Sequence, residues 1–199
     1  MKRSIGILVV CLLAACSHSN TELKQNLETQ PRATGSDTPV ASSLVTYYKG
    51  ISSVSLPNGQ VVGKSTMLVR RTLNPSASEI EEYVIEMSPQ KKDDQQEFKV
   101  IMNVEGNSFK MKDSNGSFSG TGTLEGEPWK WTSWSSKSVL ANKMIVESKD
   151  SLEGNKLVVT KTVKTPDGKV TVTMHETYSP ITKDVFEKER KQALGDISK

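Results

Sequence analysis

Pro166-Asp167-Gly168-Lys169-Val170-Thr171-Val172-Thr173-Met174-His175-Glu176-Thr177-Tyr178 is the stretch that decides the fold class. It opens on Asp-Gly, a pair that supplies the positive φ required by a tight hairpin turn. It then alternates. Val170, Val172, Met174, Glu176 and Tyr178 share one parity, and Lys169, Thr171, Thr173, His175 and Thr177 share the other. Successive side chains of a strand point to opposite faces, so the pattern is that of a strand with one buried and one wet face. A second stretch repeats it: Phe98, Val100, Met102 and Val104 lie on one face, with Glu97, Lys99 and Asn103 mostly opposite.

Working outward from these two strands, turn signals recur along the chain. They are Pro57-Asn58-Gly59, Lys91-Lys92-Asp93-Asp94, Gly106-Asn107, Ser114-Asn115-Gly116, Glu153-Gly154-Asn155 and Pro166-Asp167-Gly168. Between them lie candidate strands near 44–56, 60–73, 79–88, 97–105, 108–113, 117–124, 128–136, 139–150, 156–165 and 169–179. Sequential hairpins without helical crossovers predict an all-β protein, an antiparallel up-and-down meander closed into a barrel of about 8–10 strands. The C-terminal run differs. Asp184-Val185-Phe186-Glu187 has the form of a capping box, and no Pro or Gly interrupts the chain from there to Leu194. A short helix from about residue 182 is expected, with Val185, Phe186 and Ala193 or Leu194 against the barrel wall.

The meander from Leu44 to Tyr178 resembles the calycin superfamily of lipocalin-like and fatty-acid-binding-like barrels. The resemblance also rests on the small-residue strand Phe118-Ser119-Gly120-Thr121-Gly122-Thr123 and the following Trp129-Lys130-Trp131. The lipocalin Gly-x-Trp motif near the first strand is absent, so the resemblance is one of architecture over about three-quarters of the chain. It implies an interior that takes a small apolar or amphipathic ligand. A second resemblance is to the lipoprotein-sorting family of unclosed barrels that cradle acyl chains, although the apolar helices that plug those barrels have no counterpart here.

The N-terminus bears on location. Lys2 and Arg3 precede an apolar run from Ile5 to Ala15, which ends at Cys16. A helix needs ~20 apolar residues to span a bilayer, so the run is too short for a span and fits an export signal. Leu13-Ala14-Ala15-Cys16 resembles the lipobox of bacterial lipoproteins. That resemblance implies cleavage before Cys16 and lipidation of its thiol. Ser17 in place of aspartate resembles the outer-membrane class, facing the periplasm. The expected organisation is a signal peptide over 1–15, a lipidated cysteine and tether over 16–43, and the barrel with its helix over 44–199. Residues 17–43 hold few apolar side chains and read as a disordered spacer with a span of roughly 30 Å.

Composition narrows the function. Cys11 leaves with the signal and Cys16 is consumed by lipidation, which excludes a disulfide, a cysteine nucleophile and a thiolate metal site. Of 26 Lys and Arg two leave with the signal, against 23 Asp and Glu, so no basic excess points to nucleic acid. The chain's two histidines, His18 in the tether and His175 on a wet face, do not form a metal pair. No nucleophile elbow or serine–lysine signature is present, and neither catalysis, a metal nor a cofactor is expected. Gly116, Gly120, Gly122 and Gly126 miss the spacing of a phosphate loop and read as glycines that admit a large neighbour, such as a tryptophan.

Five residues are candidates for a ligand site. Trp129 and Trp131 share a face and offer an aromatic wall, with core packing as the plainer reading. Trp134 falls on the other parity unless a bulge intervenes, and is otherwise the better exposed contact. Glu176 shares the apolar face of its strand and Arg71 that of Met67 and Val69, so an interior Arg71–Glu176 anchor for a ligand head group is one expectation. A rim position in water for Glu176 is the other. Tyr178 lies on the same face. The leading functional reading is a lipid-anchored ligand carrier. The alternatives are an interaction module docking another envelope protein and, third, a hydrolase.

Overall fold

The computed structural model describes residues 43–88 and 95–194. Cys16, the tether and the Lys91-Lys92-Asp93-Asp94 turn therefore lie outside the described residues. Ten strands follow one another: β1 (Leu44–Ser55), β2 (Val61–Asn74), β3 (Glu79–Met87), β4 (Gln95–Glu105), β5 (Ser108–Asp113), β6 (Phe118–Glu127), β7 (Lys130–Leu140), β8 (Ile145–Glu153), β9 (Lys156–Lys164) and β10 (Val170–Pro180). Each pairs antiparallel with its sequence neighbours, and β1 pairs with β10, so the meander closes into a barrel. Closure leaves no strand with a free edge. The hydrogen-bonded circuit and the core are completed within this segment, which makes it a folding unit in its own right.

The turns obey the local chemistry of their residues. Gly59, Gly106, Gly116, Gly154 and Gly168 all take positive φ at hairpin tips. One turn differs from the sequence expectation. The seventh strand runs on to Leu140 and the eighth begins at Ile145, not 139. Lys143 adopts φ 67° there, and Met144 N donates to Asn142 Oδ1 at 3.1 Å. The asparagine thus makes this turn without a glycine.

The inner face is read off parity in each strand. Phe98, Val100, Met102 and Val104 face inward on β4, as do Val172, Met174, Glu176 and Tyr178 on β10. Outward positions such as Lys110, Lys137, Lys149, His175 and Thr177 stand exposed. A lipid-facing barrel wall would be apolar instead. Of the β6 glycines Gly122 admits a large neighbour, and it is not a tryptophan. A Cβ on Gly122 would fall within the ring of Phe109, which is buried on the adjacent strand β5.

Helix α1 (Lys183–Leu194) packs on the outside of the barrel. Its Phe186 is fully buried against Leu68 and Ile85, outward residues of β2 and β3, with the Tyr47 and Tyr83 rings beside it. Tyr47 lies 5.2 Å away between ring centroids. The cap is Thr182, whose Oγ1 accepts from Val185 N at 3.4 Å, and Asp184 falls in the first turn. Ala193 and Leu194 join this cluster, whereas Val185 is exposed and does not meet the wall. No helix among the described residues is long and apolar enough to cross a membrane.

Candidate functional site

Eight strands enclose a space that side chains just fill, and the space widens with strand number. Ten strands leave room. The barrel holds a cavity of about 260 Å³, at the small end for ligand sites. Its walls are of two kinds. Met67, Val100, Phe118, Val146, Val163 and Met174 give an apolar surface. Against it stands a polar group drawn from five strands: Arg71 of β2, Glu82 of β3, Asp150 of β8, Lys161 of β9, and Glu176 and Tyr178 of β10. Interior serines, among them Ser52, Ser65, Ser138 and Ser148, add small hydroxyls.

Arg71 and Glu82 are register partners on neighbouring strands, and Arg71 Nε donates to Glu82 Oε1 at 2.5 Å. The Arg71 guanidinium also lies over the Trp134 ring, 4.0 Å from its centroid. In the ring of strands β2 and β7 stand opposite each other, so this cation–π contact crosses the lumen and forms a floor to the cavity. Glu176 is 3% exposed and richly bonded. Lys161 Nζ donates to both of its oxygens at 3.0 Å, and Tyr178 Oη donates to Oε2 at 2.7 Å. Gly50 makes this possible, because a Cβ there would strike the Tyr178 ring.

Asp150 is the odd member. It is 8% exposed and accepts from Ser148 Oγ at 2.6 Å. That bond engages Oδ1 alone, and among the described residues Asp150 forms no ion pair. Burial pushes its carboxyl up from 3.8 to about 6, with the Glu82 charge adding to the effect. Lys161 shows the opposite balance. Burial disfavours its ammonium, but Glu176 and Asp150 outweigh that and hold it above its ordinary value. About a third of its side-chain surface, 31%, stays accessible, and this surface belongs to the lining of the cavity. Burial, reinforced by the Glu176 carboxylate, also lifts the Tyr178 phenol well above its ordinary range, so it serves as a hydrogen-bond donor.

The sequence candidates divide. Glu176, Arg71 and Tyr178 all line the cavity, and Glu176 is an interior residue and not a rim one. The expected Arg71–Glu176 pair is not formed, since Arg71 binds Glu82 and Glu176 binds Lys161. Trp129 and Trp131 do not line the cavity. Trp131 is buried, with Trp129 at 4.9 Å between ring centroids, in the cluster of Ile80, Val104, Phe109 and Leu124 that closes the barrel at the β2–β3, β4–β5 and β6–β7 turns. Core packing describes them. A bulge decides the matter: Gly126 pairs with Trp131 and Glu125 with Ser133, so Thr132 is the extra residue. It resets the parity and turns Trp134 inward, so Trp134 is the cavity tryptophan and not an exposed contact. Cys16 lies outside the described residues.

Glu82, Asp150 and Lys161 were not singled out from sequence, although each interrupts an apolar face. Lys161 sits in line with Leu157, Val159 and Val163, and Glu82 with Ile80 and Val84. That interruption is the signal that marks them. No three potential ligand side chains among the described residues are grouped to hold a metal ion.

No protein-family model and no curated protein matches this chain. Among solved structures it is similar to the dehydratase domain of RzxB from Pseudomonas fluorescens, at 7% identity over 68% of this chain and 77% of that one, with a TM-score of 0.19. It is also similar to the dehydratase domain from the CurK module of curacin polyketide synthase, at 8% identity over 70% of this chain and 77% of that one, with a TM-score of 0.21. Superposition at that level carries no functional argument.

Proposed function

We propose that this protein is a non-enzymatic carrier, anchored through lipid on Cys16 to a bacterial outer membrane on its periplasmic side, whose barrel binds a small amphipathic molecule. One observation carries the binding reading: the interior is a cavity with an apolar wall and a convergent polar group, the combination that fixes both the depth and the orientation of an amphiphile. A barrel serving only as a scaffold gains nothing from burying Arg71, Asp150 and Glu176, because apolar residues of like volume fill a core at no desolvation cost. The anchor is supported by the order of basic start, apolar run and Leu13-Ala14-Ala15-Cys16.

Binding is tested with N-phenyl-1-naphthylamine, a neutral apolar fluorophore. It binds the barrel segment from residue 43 onward saturably and quenches Trp134 emission. Ser136→Phe, which fills the cavity from β7, abolishes that binding in a protein that still melts cooperatively. A folded wild-type segment that takes up no probe refutes the carrier reading. The anchor has its own test: Cys16→Ser loses metabolic label from a palmitate analogue, and full labelling of the variant overturns it.

A further inference from the structure

Charge inside the cavity bears on what the head group is. The charged residues of the lining are Lys64, Arg71 and Lys161 against Glu82, Glu86, Asp150 and Glu176, with the Tyr178 phenol neutral beside them. Both deep cations are already committed, Arg71 to Glu82 and Lys161 to Glu176. Asp150 is the carboxylate left over. It lies beside Trp134 in register on β7, with Ser148 on its own strand and Val159 opposite on β9. The charges that act on it are Glu82, Arg71 and Lys161. A ligand carboxylate entering this space adds a further negative charge where the acids already outnumber the bases. A ligand cation restores the balance.

From this count and from the free oxygen of Asp150 we infer that the ligand carries a protonated amine, received by the Asp150 carboxylate beside the Trp134 ring. The inference rests on the carrier reading and refines it. The amine donates to Asp150 Oδ2, while Ser148 continues to donate to Oδ1. The Trp134 face is already shared with the Arg71 guanidinium, which fixes the ring's orientation. The tail lies along the apolar wall of Met67, Val100 and Met174. A charge-assisted hydrogen bond in such a site is stronger than a neutral one. An aliphatic chain bearing an amine is thereby distinguished from the same chain bearing a carboxylate or a hydroxyl.

The experiment compares octylamine, octanol and octanoate at pH 8 by calorimetry, on the wild-type barrel segment and on Asp150→Asn. Octylamine is expected to bind about 10-fold more tightly than octanoate, which corresponds to about 1.4 kcal/mol. Asp150→Asn should erase that preference and bring octylamine binding down to that of octanol. Because a variant can fail to fold, the wild type is also titrated at pH 5, where octylamine affinity should fall as Asp150 takes up a proton. Octanoate binding as tightly as octylamine overturns the amine inference and leaves the carrier reading intact. An amine preference that survives Asp150→Asn and pH 5 overturns the assignment to Asp150. If none of the three probes binds and the neutral fluorophore also fails, the carrier reading fails first and this inference with it.

Discussion

Replacing Asp150 by Asn should stabilise the protein, and by an amount that depends on pH. The Asp150 carboxyl rises from 3.8 to about 6 on folding, because burial and the Glu82 charge disfavour its ionised form. Between those two values the folded state holds more protons than the unfolded state, so stability falls as pH increases through that window. The contribution is fully present below pH 3.8, and it is lost as pH rises through about 6. A displacement of about 2 units corresponds to about 3 kcal/mol at 1.36 kcal/mol per unit. Asparagine keeps an oxygen to accept from Ser148 Oγ but has no proton to lose. Because the unfolded carboxyl is already more than half ionised at pH 4, the stability gap between Asp150→Asn and wild type should widen by about 2 kcal/mol from pH 4 to pH 8. For a domain of this size that is about 4–8 °C in melting temperature. Parallel thermal melts of both proteins at unit pH steps measure it, and other carboxylates that titrate in the range cancel in the difference. A gap that stays constant from pH 4 to pH 8, or one that narrows, refutes the argument that burial and Glu82 outweigh Arg71, Lys161 and Ser148 at the Asp150 carboxyl.

Other perturbations test other parts of the structure. Lys161→Met strips Glu176 of its ammonium partner and should cost about 3–5 kcal/mol in urea unfolding, as breaking a buried pair from one side does. The double variant Lys161→Met/Glu176→Gln should recover most of that loss, and a double variant no more stable than the single would show that the pair is not the cause. Phe186→Ala should cost about 3–5 kcal/mol, since the ring is fully buried between α1 and the outer barrel wall, and a loss below about 1 kcal/mol would mean that the helix is not docked. Gly122→Ala should cost about 1–3 kcal/mol or more, because its Cβ meets both the Phe109 ring and the Ser135 carbonyl oxygen, and a Phe109→Ala background should relieve only the part due to the ring.

Much of the barrel was legible because period-two alternation and turn chemistry are local properties. Val172-Thr173-Met174 reads the same whether or not its partner strands are known, and Pro166-Asp167-Gly168 bends the chain by its own φ preferences. The Leu140–Ile145 boundary was missed for a related reason. Its turn has no glycine, and Lys143 enters the left-handed region only with Asn142 bonding the backbone beside it. The N-terminal cap of α1 was displaced by two residues because Thr182 and Asp184 are both good capping residues. Thr182 is the one whose side chain accepts from a first-turn amide, that of Val185.

The site was less legible than the fold because parity says which face a side chain takes but not which side chain it meets. Parity put Arg71 and Glu176 on apolar faces but left Glu176 open between the interior and the rim, and their partners depend on register between strands distant in sequence. Arg71 meets Glu82 because β2 and β3 pair at that step, and Glu176 meets Lys161 because β9 and β10 pair near theirs. The tryptophans show how one residue can reverse a reading. Without the extra Thr132, Trp134 would point outward and its ring would be lost to the lumen. With it, the ring meets Arg71 from the opposite wall, and the two together form the floor on which Asp150 and Glu82 stand. A bulge costs a strand its regular ladder, and this one is repaid by a contact across the barrel that no regular β7 could supply. The aromatic part of the cavity lining thus depends on an irregularity in one strand. Deleting Thr132 should therefore turn Trp134 outward and remove its contact with Arg71, while the charged residues of β2, β3, β8, β9 and β10 keep their interior places; a variant whose Trp134 emission stays that of a buried ring would refute the parity argument.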